Sequence, residues 1–217
     1  GVLSSGIAHE INNPLNFVKN GSIALFEHVK VLEGYDPKFF EPYFELIGDG
    51  VARVANIIKS LSHFSRQVKS MDEKCNLTEI IENCLVILQN KTKDKVIIRK
   101  SFDHSCSVLG NEGKLHQAFL NILANAEQSI GENGHIHIAI LREGNMAVVE
   151  ITDDGEGISK ENLDKIGDPF FTTKPPGVGT GLGLFITYSI IDEHDGKIEV
   201  NSIVKKGTKI RIELPNL

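Results

Sequence analysis

A chain of 217 residues has room for one large domain or two small ones. Its 41% apolar and 24% charged content is ordinary for a soluble globular protein, and a formal net charge of −6 argues against a nucleic-acid binder, which would carry a basic face. No stretch approaches the roughly 18 consecutive apolar residues of a membrane span, so no membrane contact is expected from these residues.

The chain opens as GVLSSGIAHEINN, without the basic start and apolar run of a signal peptide and within a helical pattern. It reads as a piece of a longer protein, with eight residues before His9 and a correspondingly short stem. Ile7, Ile11, Pro14, Val18, Gly21, Leu25, His28 and Leu32 step by four and three, a coiled-coil-like seam that places His28 in a core. His9 falls off that seam and is expected to project outward.

A break follows at EGYDP, where Asp36 can cap and Pro37 can occupy a first helical turn, although Pro42 can move the start a few residues later. Ile47, Val51, Val54, Ile58, Leu61, Ser65 and Val68 then repeat the helical spacing. Residues 1–70 are therefore expected to form an antiparallel helical hairpin. Such a hairpin cannot bury both apolar faces alone, so a homodimer closing a four-helix bundle is expected.

The polar run at 69–76 reads as a linker, after which the period changes. NLTEIIENCLVILQ reads as a helix, VIIRKSF and CSVLG as strands, and Asn111 to Ile130 as a strong helix. HIHIAIL and AVVEITDD alternate as strands. A glycine-rich region, a helix at TGLGLFITYSIIDEH and the strands KIEVNSI and TKIRIEL complete the chain. Helices grouped against a largely antiparallel sheet give residues 71–217 an α/β sandwich, and the chain as a whole an α+β class. Cys75, Cys84 and Cys106, odd in number and without CxxC spacing, read as reduced, buried or incidental thiols in a cytoplasmic setting. His63, His104, His135, His137 and His194 are expected to face solvent.

Three stretches of the second half suit ATP. NILANAEQ places Asn121 and Asn125 one turn apart on one helix face, where amide oxygens are hard donors for Mg²⁺. DDGEGI sets Asp153 beside Gly155 and Gly157; a carboxylate accepts from the adenine amino group, and glycines let backbone approach the base. PFFTTKPPGVGTGLGL combines Thr172, Thr173 and Lys174 with a glycine-rich helix opening that aims backbone N–H groups at phosphate. Each piece alone is weak, and no GxxxxGK[ST] P-loop is present. The joint order of the pieces carries the argument.

That order, over residues 76 to 214, resembles the catalytic ATP-binding domain of sensor histidine kinases, in the superfamily of gyrase, heat-shock chaperone, histidine kinase and mismatch-repair ATPases. Gln117 to Asn125 resembles its N box, Asp153 to Gly157 its first glycine box, PFFTTK its F box and GTGLGL its second glycine box. The resemblance implies that Asp153 reads adenine and that Asn125 holds Mg²⁺ with Asn121 nearby. It implies that Lys174, Thr180, Gly179, Gly181, Leu182 and Gly183 line phosphates and lid, and that Thr208 supports adenine and its acid. Many family members carry a basic residue three positions after the magnesium asparagine; here it is Gln128, which shifts weight onto Lys174.

GIAHEINNPL then resembles the H box of the same family. This implies that His9 is the phosphoacceptor and a response regulator receiver domain the partner. Glu10 is placed to orient the imidazole, and Asn13, one turn on from His9, to position water for dephosphorylating the regulator. HExxN is not the HExxH of zinc proteases. Pro14 should bend the helix, as a switching hinge or a static kink. The competing function is an ATP-driven conformational machine of the gyrase or chaperone kind, with steady turnover and no phosphohistidine.

Overall fold

In the computed structural model the backbone is described for residues 2–65, 71–92, 95–175 and 179–217, and side chains for the same residues except 2–13, 52–53, 55–65 and 90–91. The chain divides into two compact units, Gly1–Val68 with Phe170–Leu182, and Lys69–Pro169 with Gly183–Leu217.

Two helices, α1 (Val2–Val29) and α2 (Pro37–Ser65), dominate the first unit. Pro14 lies inside α1 without ending it. Helix α2 begins at Pro37, as the Asp36 cap predicts, with the Asp36 carboxylate accepting from Lys38 N at 3.0 Å. Pro42 does not push the start later. It is accommodated in the helix, where the Tyr35–Phe40 stack (5.7 Å) and the Phe26–Phe44 pair (4.8 Å) hold the turns on either side.

The seam read from the sequence is not the stripe of α1 that meets α2. Among the described residues of α1, Leu15, Ser22, Phe26 and Val29 are half-buried, whereas Pro14, Val18, Leu25 and His28 are exposed, as is Leu32 beyond the helix. Among the described residues His28 bonds its own helix, through Nδ1 to Ala24 O at 2.8 Å. Both stripes repeat every three or four residues, so period alone cannot tell which one meets the neighbouring helix. Val18, Leu25, Val31, Leu32, Leu46 and Ile47 remain as a set of large apolar side chains in water.

The second unit is a sandwich. Its main sheet comprises β2 (Val96–Phe102), β4 (Gly134–Glu143), β5 (Met146–Asp153), β7 (Gly207–Pro215) and β6 (Lys197–Ile203), in the order β2-β4-β5-β7-β6. Only β2 and β4 run parallel; the other neighbours are antiparallel. Helices α3 (Leu77–Thr92), α4 (Glu112–Ser129) and α6 (Gly183–Glu193) pack on the sheet, with a single short turn of helix, α5, at Lys160–Leu163. Leu115, Phe119, Ile122 and Leu123 of α4 are buried at helical spacing, and the sheet adds Ile136, Ile138, Ile140, Ile151 and Ile212 to the core. Truncating Phe119, which is fully buried, costs about 3–5 kcal/mol by loss of transfer energy and creation of a cavity.

The expected linker at 69–76 is partly a strand: β1 (Glu73–Asn76) pairs antiparallel with β3 (Ser107–Gly110). Cys75 is its one buried residue, too little to register as an alternating pattern. All three cysteines are buried without disulfides, and burial pushes the Cys75 and Cys84 thiols up to about 11, so they are inert.

His194 also departs from expectation. It is buried, its Nδ1 donating to Ile190 O at 2.7 Å and its Nε2 accepting from Asn111 N at 3.0 Å. His104, His135 and His137 are exposed, and the side chain of His63 lies outside the described residues. Among the described residues no helix is long and apolar enough to cross a membrane.

Candidate nucleotide site

Asp153 ends β5 in register with Thr208 of β7. One carboxylate oxygen, Oδ1, accepts from Gly155 N at 3.0 Å and Thr208 N at 3.3 Å, and lies 3.0 Å from Ser129 Oγ, whose single proton it shares with Ala126 O at 2.8 Å. Among the described residues no protein donor reaches Oδ2. A carboxylate with one oxygen held by two backbone donors and a shared hydroxyl, and the other without a donor, has a fixed direction. Burial pushes its pKa above the ordinary carboxylate range, while the bonds from Gly155, Ser129 and Thr208 pull the other way.

The turn after Asp153 owes its path to glycine. Gly157 sits at φ +69, and a Cβ there would strike the backbone of Ile203. At Gly155 a Cβ would strike Ser129, which already holds Asp153.

Helix α4 begins where the sequence places it. The Asn111 side chain caps it by accepting from Lys114 N at 3.0 Å. Asn121 and Asn125 are half-buried on this helix, and Asn121 Nδ2 donates to Gly183 O, the first residue of α6, at 3.1 Å. That bond ties the asparagine helix to the end of the GTGLGL run. Among the described residues no group of three His, Cys, Asp or Glu side chains gathers as a metal site. A lone amide oxygen such as that of Asn125 suits Mg²⁺ that takes its other ligands from phosphates and water, so the donor set fits a nucleotide-borne ion.

The described residues of the glycine-rich segment make contacts among themselves within the first unit. Phe170 N donates to Gly181 O at 2.9 Å, Lys174 N to Thr172 Oγ1 at 3.2 Å and Leu182 N to Thr180 Oγ1 at 3.4 Å. Gly179 packs on Thr172 and Lys174, where a Cβ would lie 2.7 Å from Thr172 Oγ1. Leu182 is buried and Thr173 exposed.

Asp153, Gly155 and Thr208 are thus brought into one cluster, and Asn121 and Gly183 into a second contact. His9, Glu10 and Asn13 lie on the backbone of α1, and their side chains are outside the described residues. Two residues of the cluster had gone unread. Ser129 follows Asn125 by four positions, so the spacing that pairs Asn121 with Asn125 extends to it. Ser202 meets Thr208 only through the β6–β7 register, which no local pattern announces. A polar cavity of about 480 Å³ lined by Lys74, Glu79, His104 and Glu112, among others, shares no residue with either contact.

Residues 110–217 match the family described as histidine kinase-, DNA gyrase B-, and HSP90-like ATPase. Sporulation kinase A of Bacillus subtilis (strain 168) is 35% identical over 218 residues, covering 99% of this chain and 34% of that protein. The chain thus spans about a third of the length of that relative. The catalytic domain of histidine kinase ThkA is 33% identical with a TM-score of 0.60, over 66% of this chain and 95% of that one. ThkA in complex with the response regulator protein TrrA is 28% identical with a TM-score of 0.67, over 100% of this chain and 62% of that one. Asp153 and its glycine turn, the asparagine helix and these likenesses agree: the chain belongs to the sensor histidine kinases and carries their ATPase domain.

Proposed function

We propose that the chain is the kinase core of a two-component system: it phosphorylates His9 from ATP and passes the phosphoryl group to an aspartate of a response regulator receiver domain. The observation that carries the nucleotide half is the Asp153 carboxylate, one oxygen held by the backbone N–H groups of Gly155 and Thr208 and the other left to accept from an adenine amino group. Membership of the histidine kinase family and the HExxN setting of His9 support the other half.

On this reading residues 1–70 form the dimerisation and phosphotransfer hairpin, and residues 71–217 bind ATP. Asp153, Thr208, Gly155 and Gly157 take the base. Thr172, Thr173, Lys174, Gly179, Thr180, Gly181, Leu182 and Gly183 line the phosphates, and Asn121 and Asn125 stand beside them. Asn125 holds Mg²⁺, which neutralises phosphate charge when bound.

A ring nitrogen of neutral His9 forms the new N–P bond as the bond to the ADP oxygen breaks. Glu10 accepts from the other ring nitrogen and stabilises the cation that develops. The receiver carboxylate then attacks phosphorus and the N–P bond breaks, returning the imidazole. Asn13 positions water to hydrolyse the phosphorylated regulator, an amide orienting water without competing as a nucleophile. The exposed apolar stripe of α1 and α2 supports a homodimer through the hairpin. The expected compartment is the cytoplasm.

Incubation with Mg²⁺ and ATP followed by acid-free intact mass spectrometry tests the reading. An acid-labile, base-stable phosphoryl adduct absent from His9→Gln is expected. Phosphate release that survives His9→Gln, with no adduct in either protein, would point to a conformational ATPase instead. Asn13→Ala is expected to keep the adduct and lose dephosphorylation of the regulator.

A further inference from the structure

Ser202 touches the nucleotide cluster at three points. Its hydroxyl oxygen lies 2.7 Å from Ile158 N, 2.9 Å from Gly207 O and 2.9 Å from Thr208 Oγ1. Counting protons fixes who donates. Ile158 N–H can only donate, so the Ser202 oxygen accepts it. Gly207 O can only accept, so the single proton of Ser202 goes there. The third contact then needs a proton from Thr208. All three bonds form in this arrangement and no other.

Thr208 consequently has no hydroxyl proton to offer elsewhere and presents only lone pairs. Its backbone N–H is already given to Asp153 Oδ1. Asp153 Oδ2, with no protein donor among the described residues, is an acceptor as well. What the two side chains still have to offer is therefore acceptors alone, buried at 7% exposure each, where water is a poor substitute partner.

We propose that Ser202 is a specificity-determining positioning residue: by taking the Thr208 proton it holds this threonine as an acceptor, so that the cluster selects a purine bearing an amino group over one bearing an oxo oxygen. The inference rests on the nucleotide reading of the Asp153 cluster. A 6-oxo purine would set an acceptor oxygen where a 6-amino purine sets a donor, and such mismatches of buried polar groups discriminate strongly. Without Ser202 the Thr208 hydroxyl is free to turn and donate to that oxygen.

The test is equilibrium binding of ADP and of IDP, each with Mg²⁺, to the full chain by calorimetry. The unaltered chain is expected to prefer ADP. Ser202→Ala should lower the ratio of the IDP to the ADP dissociation constant by roughly fivefold, the size of one net hydrogen bond. Ser202→Thr, which keeps the hydroxyl, should restore it. Equal weakening of both nucleotides by Ser202→Ala, or no change, would mean that the serine only braces the turn, and would overturn the proposal. Thr208→Val supplies an independent arm should Ser202→Ala not fold. It removes the acceptor, so ADP binding alone should weaken, and an equal loss for IDP overturns the assignment. An unaltered chain that binds neither nucleotide would overturn the nucleotide reading itself.

Discussion

Nε2 of His194 accepts the backbone N–H of Asn111 across 3.0 Å, joining the residue just beyond α6 to the N-cap of α4. With Nδ1 donating to Ile190 O, the ring is held neutral in one tautomer. Lys114 and Glu193 pair across the same two helices. The two helices that carry the asparagines and the GTGLGL opening are thus fastened at this end, and by Asn121 and Gly183 at the other.

Burial lowers the His194 pKa, with Lys114 adding to the effect and Ile190 O, Glu193 and Asp195 opposing it. A second proton would sit on Nε2 and break the bond from Asn111. The unfolded chain, with an ordinary imidazole near ~6.5, binds protons that the folded chain refuses, so stability rises with pH through this window. The contribution of His194 is present above the unfolded value and is lost as pH falls through the folded one. Thermal denaturation between pH 7.5 and 5.5 should show a falling Tm, and His194→Ala should flatten the slope. At neutral pH that substitution should cost about 2–4 kcal/mol, since it leaves a cavity and a buried Asn111 N–H without a partner.

Asp153 behaves in the opposite sense. Its folded pKa is raised by burial, so its ionised form is disfavoured by folding, and its effect on stability is more favourable below the unfolded value than above the folded one. An adenine amino group needs the ionised form. Nucleotide affinity should therefore decline as pH falls, beginning above the range of an ordinary carboxylate. Titration of ADP binding against pH measures this. Asp153→Asn should weaken ADP by about a hundredfold, since it replaces an ionised acceptor and turns an amide donor on the donors already present.

Gly157 holds φ +69 with the Ile203 backbone against it. Gly157→Ala adds both a disfavoured conformation and a clash with backbone that cannot swing away. A loss of about 1–3 kcal/mol is expected by chemical denaturation. ADP binding should fall with it, because Lys205 N also donates to Glu156 O and couples this turn to the β6–β7 hairpin.

The two stripes of α1 should separate in mutants. Leu25 is 58% exposed, whereas Phe26 packs on Phe44. In the proposed homodimer, Leu25→Glu should leave the helix content unchanged and shift the chain from dimer to monomer in sedimentation. Phe26→Ala should instead lower the Tm, costing about 2–4 kcal/mol through lost ring contact and packing of a half-buried side chain.

Much of the second unit was legible before any coordinates. VIIRKSF and KIEVNSI are β2 and β6 to the residue, and Asn111 caps the helix it was expected to open. Asn121, Asn125, Asp153 and the glycine turn were singled out by residue type, spacing and order. β1 was not legible, since one buried cysteine in four residues has no period. His194 was not legible either, because its partner Asn111 lies 83 positions away.

What local chemistry dictates, the chain states by itself: helices from their apolar spacing and caps, strands from alternation, a tight turn from Asp153 and its glycines. These depend on neighbours within a few residues, and a linear pattern records them. Which stripe of α1 meets α2, which serine takes the proton of Thr208 and which backbone N–H quenches His194 were decided only by tertiary structure. Each is a pairing between distant positions, and a hydrogen bond or a packed ring has a direction and a distance that sequence order does not carry.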